Sequence, residues 1–277
     1  MKYLLAALPL LLASFNLTAL ELPLNSPVPG GIIHLPLQGK ESPKVIYRKH
    51  RVMVVPATAT RYADQADWVA LVGIPLSAKA GTETVNINGN NLSFKIESKQ
   101  YKEQRLVIKN KRKVNPTPLD MTRINKEKKE ILTALASWSE PKTHAPVTTL
   151  LKPAQGPHSS PFGLRRFFND QPRKPHSGLD IAAPKNSPII APAPAKVVAT
   201  GDYFFNGRTV ILDHGNGLTS LYCHMNRIDV KLGETLKTGD QLGTIGATGR
   251  VTGPHLHWGV SLNNARIDPT LLMVESK

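Results

Sequence analysis

Alternating apolar and polar residues dominate the chain from residue 20 to residue 98. Runs such as RVMVVPAT and ETVNINGNNLSFKI alternate between Gly, Pro and Asn breakers, which is typical of short strands. The dipeptide Asn88-Gly89 predicts the tip of a hairpin. We therefore expect residues 20–98 to form a small N-terminal β domain.

One amphipathic pattern follows in residues 99–145, after a basic stretch. Its apolar stripe has spacings of seven, four and three residues, which predicts one face of a helix. The stripe consists of Ile124, Ile131, Leu135 and Trp138. Thr117 is the expected N-cap, Pro118 suits the first turn, Asp120 favours the positive end, and Pro141 ends the helix. We expect a connector that packs on a neighbouring β region.

Short apolar runs joined by glycine turns return in residues 146–277. The segments RTVILDH and LTSLYCH flank Asn216-Gly217, which predicts a second hairpin. This region has no useful helical period, so we expect an antiparallel β domain. The predicted fold is thus mainly β, with two β regions joined by one connector helix.

The N-terminus indicates export. Lys2 precedes an apolar run from Leu4 to Leu12, and small or polar residues follow up to Ala19. This run is shorter than the ~20 residues that span a bilayer, so residues 1–19 predict a cleaved signal peptide rather than an anchor. No later segment is long and apolar enough to span. The expected location is the periplasm or the extracellular space.

Charge and cysteine content narrow the partners. The formal net charge is +15, which in an exported protein favours an anionic cell envelope over nucleic acid. The chain has one cysteine, Cys223, so it forms no intrachain disulfide.

The segment GPHLHWGV carries the first candidate chemistry. On a strand, His255 and His257 point to one face, while Leu256 and Trp258 point to the other. Two histidines above an apolar face suit a metal site supported by a core. The pattern alone is more typical of a chance pair of histidines than of a metal site.

Two further segments add possible ligands. In PHSGLD, His176 and Asp180 enter a predicted strand, and both side-chain types bind zinc, although either alone is compatible with a solvated turn. In SLYCHM, strand alternation places Tyr222 and His224 on one face and Cys223 on the other. A Cys223–His224 nucleophile–base pair is therefore not expected.

The remaining histidines are expected to be structural, including His214 before the second hairpin turn. Four histidines and one aspartate still exceed the needs of one metal. A catalytic zinc takes three protein ligands and leaves one position open. The surplus histidines would then handle protons or stabilise an oxyanion.

These motifs together resemble the LytM/lysostaphin-type zinc endopeptidases of peptidase family M23. The resemblance rests on SPFGLRR, HSGLDIAAP, the S-x-Y-x-H-M strand, GDQLGTIGATG, H-x-H-W-G-V and the closing ARIDP. The earlier segments VPGGII, VGIPLSA and YKEQ resemble the N-terminal domain of secreted proteobacterial members. The resemblance implies an antiparallel β-sheet peptidase domain of the duplicated hybrid motif type in residues 146–277.

The resemblance also implies roles for individual residues. His176, Asp180 and His257 would bind Zn²⁺, and His224 and His255 would be catalytic, with no indication of which one acts as base. Tyr222, expected on the same face as His224, is a candidate substrate contact.

The implied function is hydrolysis of peptidoglycan cross-links, with D-alanyl to diaminopimelate as the expected bond. The N-terminal domain is expected either to keep the enzyme latent or to act as a scaffold. Two alternatives stay open at this point. One is a non-catalytic activator of a cell-wall amidase, and the other is a secreted zinc protease of protein substrates.

Overall fold

The computed structural model describes residues 20–141 and 143–274. The predicted signal peptide, residues 1–19, lies outside the described residues. Within them the chain is mainly β, as predicted, and its α-helix is α1 (Pro118–Leu135). No helix among the described residues is both long and apolar enough to cross a bilayer.

Two small antiparallel sheets form the N-terminal region. Their strands are β1 (Ile32–Leu37), β2 (Val45–Tyr47), β3 (His50–Arg51), β4 (Met53–Pro56), β5 (Trp68–Gly73), β6 (Gly81–Ile87) and β7 (Asn90–Ile96). One sheet has the order β1-β5-β4 and the other the order β3-β2-β6-β7. The β6–β7 hairpin turns at Asn88-Gly89, where both residues have positive φ, which confirms the predicted tip.

The connector contains a strand and the helix. Strand β8 (Glu103–Leu106) precedes α1, and short 3-10 turns occur at Ala57–Ala59, Lys111–Lys113 and Pro269–Leu271. Thr117 caps α1 in a capping box with Asp120, and Pro118 is the first helical residue, as predicted.

The helix ends earlier than the apolar stripe predicted. It stops at Leu135, so Trp138 lies beyond its C-terminus. The carbonyl groups there bond to the second hairpin instead of continuing the helix. Thr219 donates to Leu135 O at 3.2 Å, and Asn216 N donates to Ser139 O at 2.7 Å.

The C-terminal region is built around a ten-stranded sheet. The strands of this region are β9 (Leu150–Leu151), β10 (His158–Ser160), β11 (Arg165–Phe168), β12 (Gln171–Pro172), β13 (Leu179–Ile181), β14 (Pro188–Ile190), β15 (Ala195–Tyr203), β16 (Gly207–Gly215), β17 (Leu218–Ile228), β18 (Thr235–Leu236), β19 (Gln241–Ile245), β20 (Leu256–Leu262), β21 (Ala265–Ile267) and β22 (Met273–Val274). Ten of them form the large sheet, whereas β9 pairs with β22, and β11 and β12 form a small sheet with β8. The main path is β10-β13-β20-β17-β16-β15-β18. The predicted β16–β17 hairpin at Asn216-Gly217 is confirmed.

One apolar core joins the N-terminal β1-β5-β4 sheet to one face of the large sheet. Ile32 and Leu71 belong to the same buried cluster as Tyr222 and Trp258. The connector helix covers the other face through Leu135, which belongs to a smaller buried cluster with Leu221 and Cys223. The large sheet is therefore packed on both faces, and the β1-β5-β4 sheet is part of its core.

A pair of hydrogen bonds links the N-terminal sheet to the β20–β21 turn. Asn263 Oδ1 accepts from Gly73 N at 2.7 Å, and Asn263 Nδ2 donates to Gly73 O at 3.0 Å. All of these groups are buried. Asn263 therefore satisfies both backbone groups of a strand end that water does not reach.

Asn263→Ala should lower the free energy of unfolding by about 2 kcal/mol, because it leaves the buried N–H and C=O of Gly73 unpaired. Asn264→Ala is the matched control, since φ is 42° at Asn263 and 60° at Asn264, but Asn264 is exposed. Chemical denaturation would measure both. Equal effects of the two substitutions would contradict the role of the buried bonds.

Candidate metal and catalytic site

The site is built on one cross-strand pair. In the register of β13 and β20, Asp180 lies directly opposite His257, and such pairs project from the same face of a sheet. The neighbouring residues Leu256 and Trp258 are fully buried in the main core. The structure confirms the predicted division of this strand into an apolar face and a polar face.

His176 joins this pair from the loop before β13. Its backbone N donates to Leu164 O and its carbonyl accepts from Gly163 N, both at 2.8 Å. The ring Nδ1 lies 2.8 Å from Pro161 O. A carbonyl only accepts, so Nδ1 carries the proton and the lone pair is on Nε2.

Three donor atoms converge at this point. His176 Nε2 lies 3.0 Å from both Asp180 Oδ1 and His257 Nδ1, and the last two atoms are 2.8 Å apart. The ligands of a tetrahedral zinc with bonds of ~2.0–2.1 Å lie about 3.3 Å from one another. The spacing and the set of two imidazoles and one carboxylate both fit such an ion.

The protonation states also suit a metal site. Burial alone raises the pKa of Asp180, but the close contacts of its Oδ1 with the rings of His176 and His257 hold it well below its usual range. Burial lowers the pKa of His257 to about 4, although Asp180 opposes this change. At neutral pH the cluster thus presents an ionised carboxylate and a neutral imidazole, the forms that bind metals.

His224 and His255 lie beside the cluster. Their ring centroids are 4.9 Å apart, and His255 Nε2 is 3.9 Å from Asp180 Oδ1. Each Nδ1 faces a main-chain carbonyl, that of Thr248 at 2.8 Å and that of Gly253 at 2.9 Å. The Nε2 atoms are therefore the nitrogens that bear lone pairs for a reacting group.

The charge state of His224 is set by its surroundings. Burial lowers the pKa of His224 well below its usual value, and the nearby His255 and His257 lower it further. Its imidazole is therefore neutral at physiological pH and is able to accept a proton.

The expectation that Tyr222 and His224 share a face is wrong. Between β16 and β17, Arg208 pairs with Met225 while Val210 pairs with Tyr222, so β17 contains one extra residue. This is a β-bulge, and His224 within it has a φ of 65°. Few residues other than glycine adopt this conformation. Regular alternation is lost at the bulge.

Tyr222 faces the main core, where it pairs with Trp258 and is fully buried. Its hydroxyl lies 2.8 Å from Ser220 Oγ, which in turn is 2.7 Å from Nε2 of the buried His214. The structure therefore does not bring Tyr222 to the site. The predicted substrate contact has no accessible surface, whereas His214 is structural, as predicted.

Cys223 pairs with His257, so it lies on the site face of the sheet rather than on the expected opposite face. It is buried there against Leu135 and Leu221. Burial raises the pKa of the thiol to about 12, which keeps it protonated. The prediction of an unreactive buried cysteine is confirmed.

Sequence reasoning missed two residues of the site. Arg166 Nη2 lies 2.8 Å from Asp180 Oδ2, the carboxylate oxygen that faces away from the three-atom cluster. Gly178 provides space, because a Cβ there would lie 2.6 Å from Trp258 O and 2.7 Å from the His257 ring. Both residues stand in quoted motifs, SPFGLRR and HSGLD, but their roles depend on tertiary contacts.

The fold and the site define a class of protein. An antiparallel β-sheet presents two histidines and one aspartate that fit a single zinc ion, with two more histidines alongside. This donor set is typical of zinc hydrolases.

Comparisons with known proteins identify the family within this class. The sequence model of peptidase family M23 matches residues 174–269, and that of the M23 N-terminal domain matches residues 25–99. The crystal structure of a candidate M23 peptidase from Pseudomonas aeruginosa is 40% identical, with a TM-score of 0.72 over 90% of this chain and 95% of that one. The chain belongs to peptidase family M23.

Two curated relatives match the C-terminal part. Peptidoglycan DD-endopeptidase ShyC of Vibrio cholerae is 42% identical over 120 residues, which is 40% of this chain and 28% of ShyC. DD-carboxypeptidase/endopeptidase Mpg of Neisseria meningitidis is 35% identical over 111 residues, 40% of this chain and 26% of Mpg. The chain thus matches less than a third of the length of these curated relatives.

Gly178→Ala should destabilise the fold by about 1–3 kcal/mol, because the added methyl group overlaps the backbone of Trp258 and the ring of His257. A crystal structure should show His257 Nδ1 displaced from Asp180. The control is Gly253→Ala, where a Cβ has nothing within 4 Å. Chemical denaturation should give a change below about 1 kcal/mol for the control. A wild-type stability in Gly178→Ala would contradict the predicted overlap.

Proposed function

We propose that this protein is a zinc-dependent endopeptidase that hydrolyses the peptide cross-links of peptidoglycan. The observation that carries the proposal is the convergence of His176 Nε2, Asp180 Oδ1 and His257 Nδ1 beside two further histidines. The family membership and the names of the curated relatives support the same reaction class.

His176, Asp180 and His257 would hold the zinc ion. A zinc ion bound there supplies Lewis acidity, which lowers the pKa of water toward ~7 and polarises a peptide carbonyl. Pro161 O and Arg166 hold the outer atoms of His176 and Asp180, so their inner donor atoms stay directed at the ion.

His224 and His255 divide the proton chemistry. One neutral imidazole accepts a proton from the attacking water at Nε2. The other donates a hydrogen bond to the developing oxyanion from Nε2 in its protonated, imidazolium form, because its Nδ1 already faces a carbonyl. The carbonyls of Thr248 and Gly253 fix both rings through Nδ1. Both rings are held in the same way through Nδ1, so this contact does not distinguish the base from the hydrogen-bond donor.

The proposed bond is the D-alanyl to diaminopimelate cross-link. The name DD-endopeptidase of the Vibrio cholerae relative supports it. The net charge of +15 favours approach to an anionic wall polymer. This substrate places the site of action in the periplasm or outside the cell, in agreement with the predicted signal peptide.

The complete set of five side chains favours catalysis over a non-catalytic activator role. Among the described residues, no hydrogen bond or ion pair joins residues 20–98 to the side chains of these five. Latency imposed by the N-terminal region stays a prediction.

Substitution of a proposed zinc ligand should have a different effect on zinc content than substitution of a proposed catalytic histidine. His176→Ala should abolish both zinc binding and turnover. His224→Ala or His255→Ala should retain one bound zinc and lower kcat by ~10²–10⁴-fold, because each removes a proton-handling group. Digestion of purified cross-linked muropeptide dimers, followed by mass spectrometry, would measure turnover, and metal analysis would measure zinc.

The control for these variants is His50→Ala, which changes an N-terminal histidine bonded to the exposed Asn264. It should leave zinc content and turnover unchanged. Adding a chelator to the wild-type enzyme should stop digestion. Intact dimers after incubation with the zinc-loaded wild-type protein would refute the proposed function.

A further inference from the structure

A polar network lies behind the metal-binding carboxylate, on the side away from the three donor atoms. Arg166 Nη2 contacts Asp180 Oδ2 at 2.8 Å and Ser160 Oγ at 3.1 Å, and Arg166 Nε donates to Gln104 Oε1 at 2.9 Å. Gln104 Nε2 in turn donates to Ser160 Oγ at 3.0 Å. Arg166, Gln104 and Ser160 thus form a closed ring of hydrogen bonds, and Arg166 connects this ring to Asp180.

The network comes from a part of the chain that neither family model covers. The matched ranges are 25–99 and 174–269, whereas Gln104, Ser160 and Arg166 all lie between them. Gln104 belongs to the segment YKEQ of the connector, a motif for which the proposed reaction supplies no role.

Strand pairing delivers Gln104 to this position. β8 and β11 run parallel, and Gln104 is in register with Arg166 while Glu103 is in register with Arg165. Residues alternate faces along a strand, so one pair points to the site and the other outward. The side-chain exposure agrees, at 17% for Arg166 against 60% for Arg165.

Tyr101, which lies shortly before β8, anchors this strand. Tyr101 packs edge-on against Phe162 at a centroid distance of 6.2 Å, and its hydroxyl donates to Pro29 O at 2.7 Å. Gly163 leaves room for this ring, since a Cβ there would lie 2.0 Å from it. The connector is therefore held against the loop that also carries the carbonyl partner of His176.

We propose that Gln104 is a positioning residue that holds Arg166 on Asp180 Oδ2, so that Asp180 Oδ1 stays directed at His176 and His257. This inference rests on the proposed function, because it treats Asp180 as a zinc ligand. A carboxylate rotates about its terminal torsion, and a fixed partner on one oxygen sets the direction of the other.

Orientation, not charge, is the useful contribution of Arg166. A guanidinium near a bound cation repels it, so electrostatics alone would weaken zinc binding. The planar fork of Arg166 is held in one orientation when its other donors also have partners. Gln104 and Ser160 supply these acceptors within a largely buried site.

Gln104→Ala should raise the Kd for Zn²⁺ by roughly 10-fold or more, the usual cost of losing an outer partner of a metal ligand. Competition between the protein and a fluorescent zinc chelator would measure it. In muropeptide digestion at saturating zinc, kcat should fall while KM stays unchanged, because the network does not touch substrate.

Two variants complete the experiment. Glu103→Ala changes the outward neighbour, whose carboxylate pairs with Arg165, and should keep wild-type zinc affinity. Gln104→Glu keeps an oxygen for Arg166 Nε and for the Ser160 hydroxyl, and should restore zinc affinity to within about 3-fold of wild type.

The outcomes separate this inference from the proposed function. Wild-type Kd and kcat in Gln104→Ala would overturn the positioning role alone. An equal loss in Gln104→Ala and Gln104→Glu would also overturn it, because the acceptor oxygen would then be irrelevant. If the wild-type protein and Asp180→Ala bind zinc equally weakly, the proposed function fails and the positioning role fails with it.

Discussion

The backbone ladder between β13 and β20 places Asp180 beside His257, and the other groups of the site are arranged around this pair. On the opposite face of the same strands, Leu179, Leu256 and Trp258 are buried in the main core. A shift of one residue in this register would turn Trp258 toward the site and His257 into the core. The free energy of the apolar core therefore fixes the geometry of the polar cluster.

Main-chain carbonyls then select the tautomer of three of the four rings. The Nδ1 atoms of His176, His224 and His255 each face a carbonyl oxygen within 2.8–2.9 Å, which leaves their lone pairs on Nε2. His257 is turned the other way, because its Nδ1 faces Asp180. Main-chain carbonyls rather than side chains thus provide most of the hydrogen-bond partners of these rings, and the carbonyls are themselves held by the sheet and its turns.

Local patterns predicted what local forces decide. The hairpin tips at Asn88-Gly89 and Asn216-Gly217 and the capped start of α1 depend on a few adjacent residues. Alternation placed His257 and Trp258 correctly because β20 is regular, but it failed at His224. The bulge there arises from pairing between β16 and β17, which no property of the SLYCHM segment specifies. Arg166 and Gln104 were missed for the same reason, since their partners are distant in sequence.

The N-terminal half of the chain bears on the site from two directions. Its first sheet shares the core beneath Trp258 and is bonded through Gly73 to the β20–β21 turn, on the face away from His257. The connector reaches the site itself, where Gln104 meets Arg166. An influence of the N-terminal region on the chemistry would therefore pass most directly through strand β8. A displacement of that strand would remove an acceptor from Arg166 and loosen the hold on Asp180, without any segment covering His224 and His255.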